Sequence, residues 1–211
     1  MLTRFEWSPL VQRIVLRSWH HLTGSQHIPE QAPEVIPGLL ALHLRRGDFI
    51  PHCDNLRDWR ANFVGWTKFP EYVDKFDPYA EDRDENYQRH CLPSVTGVLE
   101  KVRAVKRDWE GKQSNGSRRL SRVYILTNAE PAFLDELKQG LFAEGWESIA
   151  TTFDVVIEPS EVEISMVADM MIAQISEVFI GNGVSLLNPT TRLFSITDIT
   201  LSRFVVFKLH S

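Results

Sequence analysis

Short, almost wholly apolar runs alternate with longer amphipathic stretches along this chain. Leu39-Leu40-Ala41-Leu42-His43-Leu44 stops abruptly at Arg45-Arg46-Gly47-Asp48, the pattern of a buried strand that feeds a polar loop. Val123-Tyr124-Ile125-Leu126-Thr127, Phe153-Asp154-Val155-Val156-Ile157 and Val178-Phe179-Ile180 read as further strands. The stretches between them repeat at helical spacing. Residues 92–109 place Leu92, Val95, Leu99, Val102, Val105 and Trp109 on one face. Pro131 opens a helix that carries Phe133, Leu137 and Leu141 and ends near Gly145. Ser160-x-x-Glu163 forms a capping box for a helix through about Ile175. Strand, helix, strand, helix, strand with short connections predicts right-handed βαβ units, hence an α/β fold with a Rossmann-like parallel sheet flanked by helices.

The N-terminal part reads differently. Residues 8–22 predict one helix, capped by Ser8, with Pro9 at its first position and Leu10, Ile14 and Val15 on one face. Residues 23–38, rich in Pro and Gly, predict a loop. The expected organisation is therefore an N-terminal helix and linker over 1–38 and a Rossmann-like domain over 39–211, with an aromatic-rich insertion at 51–90. That insertion, with Trp59, Phe63, Trp66, Phe69, Tyr72, Phe76, Tyr79 and Tyr87, is expected to be irregular, yet packed against something.

Composition narrows the function. The 211 residues carry a net charge of -5 and a pI of about 5.8, which disfavours a broad nucleic-acid interface and leaves room only for a local cationic pocket. No apolar run approaches the ~20 residues that span a bilayer. Arg4, Glu6, Gln12, Arg13 and Arg17 interrupt the N-terminal apolar residues, so no signal peptide is expected there. Read literally the chain is cytoplasmic; read as the later part of a longer protein it can follow a targeting segment. Cys53 and Cys91 are the only cysteines, too few for a disulfide scaffold or a Cys-rich zinc site.

Ligands of open parallel sheets bind beyond the carboxyl ends of the strands. Three polar clusters are expected there: His43 to Asp48, Thr127-Asn128, and Gly181-Asn182-Gly183-Val184-Ser185. The first offers guanidinium groups, which match phosphate oxygens with paired hydrogen bonds and stay charged. The last offers backbone N–H groups and a hydroxyl, which suit an anion. Together they describe a diphosphate pocket. The same residues equally permit a structural role, with Arg46 and Asp48 as a surface ion pair and the glycines as turns. No P-loop, G-x-G-x-x-G or G-x-S-x-G motif is present, and His52-Cys53-Asp54 reads as plain loop.

ALHLRRGDF, VYILTN and ADMMIAQISEVFIGNGVS, in this order, resemble the protein O-fucosyltransferase family, in particular its fungal members. The resemblance runs from about Trp7 to Ser185. It implies a GT-B glycosyltransferase that uses GDP-fucose as donor substrate, with no metal or other cofactor, in fucose and carbohydrate metabolism. Arg45, the arginine of the H-x-R motif, would hold the β-phosphate and stabilise the departing GDP as charge builds up. His43 would line the nucleotide site. Asp169, ten residues before Phe179, would accept from guanine N1–H and its exocyclic amine; read without the family it is a helix-face acid. Asn182 and Ser185 would complete the donor site. After Ser185 the chain reads Leu186-Leu187-Asn188-Pro189, where the family places a second hydroxyl. The chain corresponds to the second, donor-binding half of such an enzyme, acting on protein Ser/Thr; the partners implied are a nucleotide sugar and a protein or glycan acceptor. A catalytically inactive or truncated relative and an unrelated cytosolic α/β protein are the alternative readings. The family works in the secretory pathway (ER/Golgi), which implies that Cys53 and Cys91, bracketing the insertion, pair; two buried free thiols are the alternative. In the same setting Asn115-Gly116-Ser117 is a glycosylation sequon.

Overall fold

A computed structural model of the chain describes residues 6–61, 77–113, 118–181 and, as backbone, 204–206. Five parallel-paired strands form one sheet: β1 (Ile36–Leu44), β2 (Arg122–Thr127), β3 (Ser148–Thr151), β4 (Ser176–Gly181) and β5 (Phe204–Val206). Their order is β3-β2-β1-β4-β5. From β1 the chain winds outward through β2 to β3, then crosses back to the other side of β1. This reversal opens a crevice between the carboxyl ends of β1 and β4, where His43 lies beside Gly181 in register.

Strand alternation sorts the core into two layers. Leu40, Leu42 and Leu44 face α5 (Val95–Gly111) and α6 (Pro131–Ala143), packing on Val98, Val102, Leu137 and Leu141. Leu39, Ala41, Tyr124 and Phe179 face the other way, towards α1 (Pro9–Arg17), α2 (Trp19–Thr23) and α7 (Ser165–Ile175). Leu40 and Leu42 are fully buried, each contributing roughly 1.5–3 kcal/mol. Ile14, Val15 and Leu22, from the segment placed before the linker, belong to this second layer, so α1 and α2 are part of the sheet's own core.

Several elements differ from their sequence-based outlines. The helix over 8–22 divides at Ser18, whose hydroxyl donates to the Ile14 carbonyl and accepts from the Val156 N–H, both at 2.9 Å. The first strand starts three residues early, at Ile36, and absorbs Pro37 and Gly38. Gly38 has φ +75, and a Cβ there would lie 3.0 Å from the Arg119 carbonyl; the register with β4 slips at this point. The strand expected at 153–157 is displaced to Ser148–Thr151. Asp154 accepts from both Thr151 N–H and Oγ1, at 2.8 and 2.7 Å, and coils Thr152–Asp154 into a 3₁₀ turn. The capping box belongs to Glu158 and Glu161, around a 3₁₀ segment Pro159–Ile164, rather than to Ser160 and Glu163.

The insertion is partly helical rather than irregular. α3 (Ile50–Asp58), which contains His52-Cys53-Asp54, packs on α4 (Arg83–Cys91) around a small core of Cys53, Leu56, Tyr87 and Cys91. Cys53 and Cys91 form a disulfide with Cα atoms 6.0 Å apart. Closing a 38-residue separation stabilises by about 4 kcal/mol in the chain-entropy account. No helix among the described residues is long and apolar enough to cross a membrane.

Candidate functional site

The carboxyl edge of the sheet gathers the polar residues. Thr127, last in β2, donates through Oγ1 to the Leu44 carbonyl at 2.7 Å and so ties the ends of β1 and β2 together. The chain then leaves β1 into a 3₁₀ turn, Gly47–Phe49, that leads into α3. Gly47 has φ +27, and a Cβ there would lie 2.8 Å from the Asn128 carbonyl, so the close approach of the two loops needs a glycine. Asn128 seals that approach: its Oδ1 accepts from the Arg46 N–H at 2.8 Å and its Nδ2 donates to Asp48 Oδ1 at 2.5 Å.

The two arginines part company here. Arg45 follows the odd-numbered residues of β1, and its Nη2 reaches Asp48 Oδ2 at 3.0 Å. Its guanidinium also lies 4.9 Å from the Phe49 ring centroid. Hydrogen bonds from Arg45 and then Asn128 hold the Asp48 carboxyl below its ordinary range. Arg46 turns to the other layer, donates to the Pro93 carbonyl at 2.7 Å and stacks 3.9 Å over Phe133. The surface ion pair expected between Arg46 and Asp48 is therefore made by Arg45: side-chain alternation sends Arg46 to the wrong face. Burial lowers the Arg46 pKa, and the Glu130 charge partly restores it.

His43, on the same face as Arg45, is lowered to a pKa of about 4 by burial first and the Arg45 charge second. It is a neutral imidazole at physiological pH. Asp169, on α7, is 8% exposed and is raised to about 6 by burial, offset in part by the hydrogen bonds it receives. The Tyr124 hydroxyl donates to its Oδ1, and Thr152 Oγ1 donates to its Oδ2 at 2.9 Å. Burial and the neighbouring carboxylate push the Tyr124 phenol well above its ordinary range. Thr152 also accepts from the Thr127 N–H at 3.2 Å. Asp169 is thus wired to the strand ends through Thr152 and Thr127, one residue pair away from Leu44-Arg45.

The structure brings His43, Arg45 and Asp169 to one face of the carboxyl edge; Asn182, Ser185 and Asn115 lie outside the described residues. Sequence reasoning missed Tyr124 and Thr152. A tyrosine inside a buried strand calls for a partner for its hydroxyl, and that was the available signal. Thr152 was hidden by the misplaced third strand. Two other features are set apart from this edge. Glu177, buried at the start of β4, accepts from the Gly38 N–H and Arg118, both at 2.6 Å, and serves the opposite edge. A groove of about 290 Å³ between Arg103, Lys106, Arg107, Glu110 and Glu144 lies where α5 and α6 run into the starts of β2 and β3, also at the opposite edge. Among the described residues no three His, Cys, Asp or Glu side chains are grouped to hold a metal ion.

Neither a protein-family model nor a curated protein matches the sequence. Solved structures do. The chain is similar to crystal structures of POFUT1, a GDP-fucose protein O-fucosyltransferase. The POFUT1 complex with GDP aligns at 15% identity and a TM-score of 0.58, covering 97% of this chain and 49% of that one. A complex with GDP-fucose gives the same identity and TM-score over 97% and 48%, and a second crystal form gives 0.53 over 93% and 47%. The likeness is one of fold, and the chain spans about half the length of the structures it matches.

Proposed function

We propose that this chain is the donor-binding half of an inverting O-fucosyltransferase, holding GDP-fucose at the carboxyl edge between β1 and β4. The observation that carries the reading is the placement of Arg45 at the topological switch point. There a permanent cation stands beside the crevice in which open α/β sheets bind ligands. The likeness to structures described as complexes with GDP and GDP-fucose supports it. Arg45 holds the β-phosphate and stabilises the leaving diphosphate. His43, neutral, adds a donor or acceptor without adding charge. Asp169 accepts from the guanine edge through lone pairs that Tyr124 and Thr152 leave open, since each carboxylate oxygen has two. Asn182 and Ser185 complete the phosphate contacts, and no metal takes part.

Titration calorimetry with GDP on the wild type and Arg45→Ala tests the assignment. Loss of a charge-assisted phosphate contact weakens binding by about 1.5–3 kcal/mol. Equal affinity in the two proteins removes Arg45 from the site.

A further inference from the structure

The disulfide and the candidate phosphate arginine are joined by one side chain. Phe49 stands four residues before Cys53, at the entry to α3, so the two share a helix face. It packs partly buried on the small core of Cys53, Leu56, Tyr87 and Cys91. Its ring also lies under the Arg45 guanidinium, 4.9 Å from ring centroid to the guanidinium carbon. That small core is separate from the two layers on the sheet, so the sheet's packing does not by itself fix the face of α3. Among the described residues the α3–α4 contact, closed by Cys53–Cys91, fixes it.

We propose that Phe49 is a positioning residue for Arg45 and that the Cys53–Cys91 disulfide holds it in place, which makes the anion affinity of the carboxyl edge depend on the oxidised state of the pair. This inference rests on the nucleotide reading for its ligand but not for its geometry. A free arginine side chain samples many rotamers, and ordering it on ligand binding opposes affinity. A ring against the guanidinium, together with the Asp48 carboxylate, holds Arg45 before the ligand arrives. Opening the crosslink needs an external dithiol. The dithiol gives up two electrons and two protons and closes to its own cyclic disulfide, while the Cys53–Cys91 bond breaks into two thiols. The α3 face, which among the described residues keeps the apolar contacts of Leu56 and Tyr87 and the hydrogen bond from the Tyr87 hydroxyl to the Ala61 carbonyl, is then free of its covalent tie and lets Phe49 leave Arg45.

The test uses the full chain, oxidised and reduced with dithiothreitol, together with Phe49→Leu, which keeps the disulfide. Arg45 is followed by its guanidinium Nε resonance, which the Phe49 ring current shifts, and GDP affinity is followed by calorimetry. Reduction and Phe49→Leu are expected to move the Arg45 resonance alike and to weaken GDP roughly two- to five-fold, the size of an exposed cation–π contact. In an Arg45→Ala background neither change should alter the affinity. An Arg45 resonance unmoved by reduction overturns the proposal, because the disulfide then has no part in positioning Arg45. So does an equal affinity loss in the Arg45→Ala background, which marks general loosening. A resonance that moves in a chain that does not bind GDP upholds the positioning role and overturns the nucleotide reading instead.

Discussion

Single residues on the carboxyl edge combine two constraints, and the two can be separated by experiment. Gly47 allows the β1 loop to lie on Asn128; a methyl group there meets a backbone carbonyl at 2.8 Å with φ at +27. Gly47→Ala is expected to lower unfolding stability by about 1–3 kcal/mol, read by urea denaturation, because backbone rather than a flexible side chain must give way. A loss below about 0.5 kcal/mol would mean the loop is not locked as described. Asp169 has a different signature. Its folded pKa, about 6, stands above the ordinary 3.8, so between these values the folded chain keeps a proton that the unfolded chain has released. Its contribution to stability therefore falls as pH rises from about 4 to 6, by up to about 3 kcal/mol. His43 acts oppositely. Its folded pKa of about 4 lies below 6.5, so its contribution rises with pH across a similar window. The two slopes offset each other in the wild type. Asp169→Asn should gain stability relative to the wild type between pH 4 and pH 7, measured by urea unfolding at both. Parallel curves would contradict the burial of an acid at this position.

At the level of elements, the sequence discloses those whose periodicity is undisturbed by local side-chain bonding. The strands at 39–44, 123–127 and 178–180 and the helices from Val95 and Pro131 are legible because buried apolar spacing alone defines them. The third strand is not. Val155 and Ile157 are apolar because they pack on the α7 layer from an irregular segment, while Ser148–Thr151 carries the hydrogen-bonded ladder with β2. Periodicity registers burial and is blind to which backbone is paired. The site divides in the same way. Arg45, His43 and Asp169 stand out as ionisable side chains among apolar neighbours at the end of β1 and within α7, whereas Thr152 and Tyr124 act through hydrogen bonds that only the packed strands reveal. The disulfide came from the implied setting of the family, since two lone cysteines carry no pairing rule of their own.

At the scale of the molecule, the described residues form one α/β sheet with a disulfide-closed helical satellite, and the chain spans about half the length of the POFUT1 structures it matches. Transfer of a sugar needs an acceptor hydroxyl held in line with the donor and relieved of its proton. In the proposed reading the residues gathered at the carboxyl edge serve the departing diphosphate, so the 211-residue chain by itself is expected to transfer little or no fucose to folded acceptor domains. Ordinary enzyme turnover in an assay with labelled GDP-fucose would show instead that the insertion around α3 and α4 supplies an acceptor site. The central claim, that a nucleoside diphosphate binds where β1 and β4 diverge, is tested most directly by mapping amide resonances of the full chain on addition of GDP. The account predicts changes concentrated at 43–48, 127–129, 152 and 169, all at the carboxyl edge. Saturable changes confined to the groove around Arg103 and Arg107, or none at all, would contradict it.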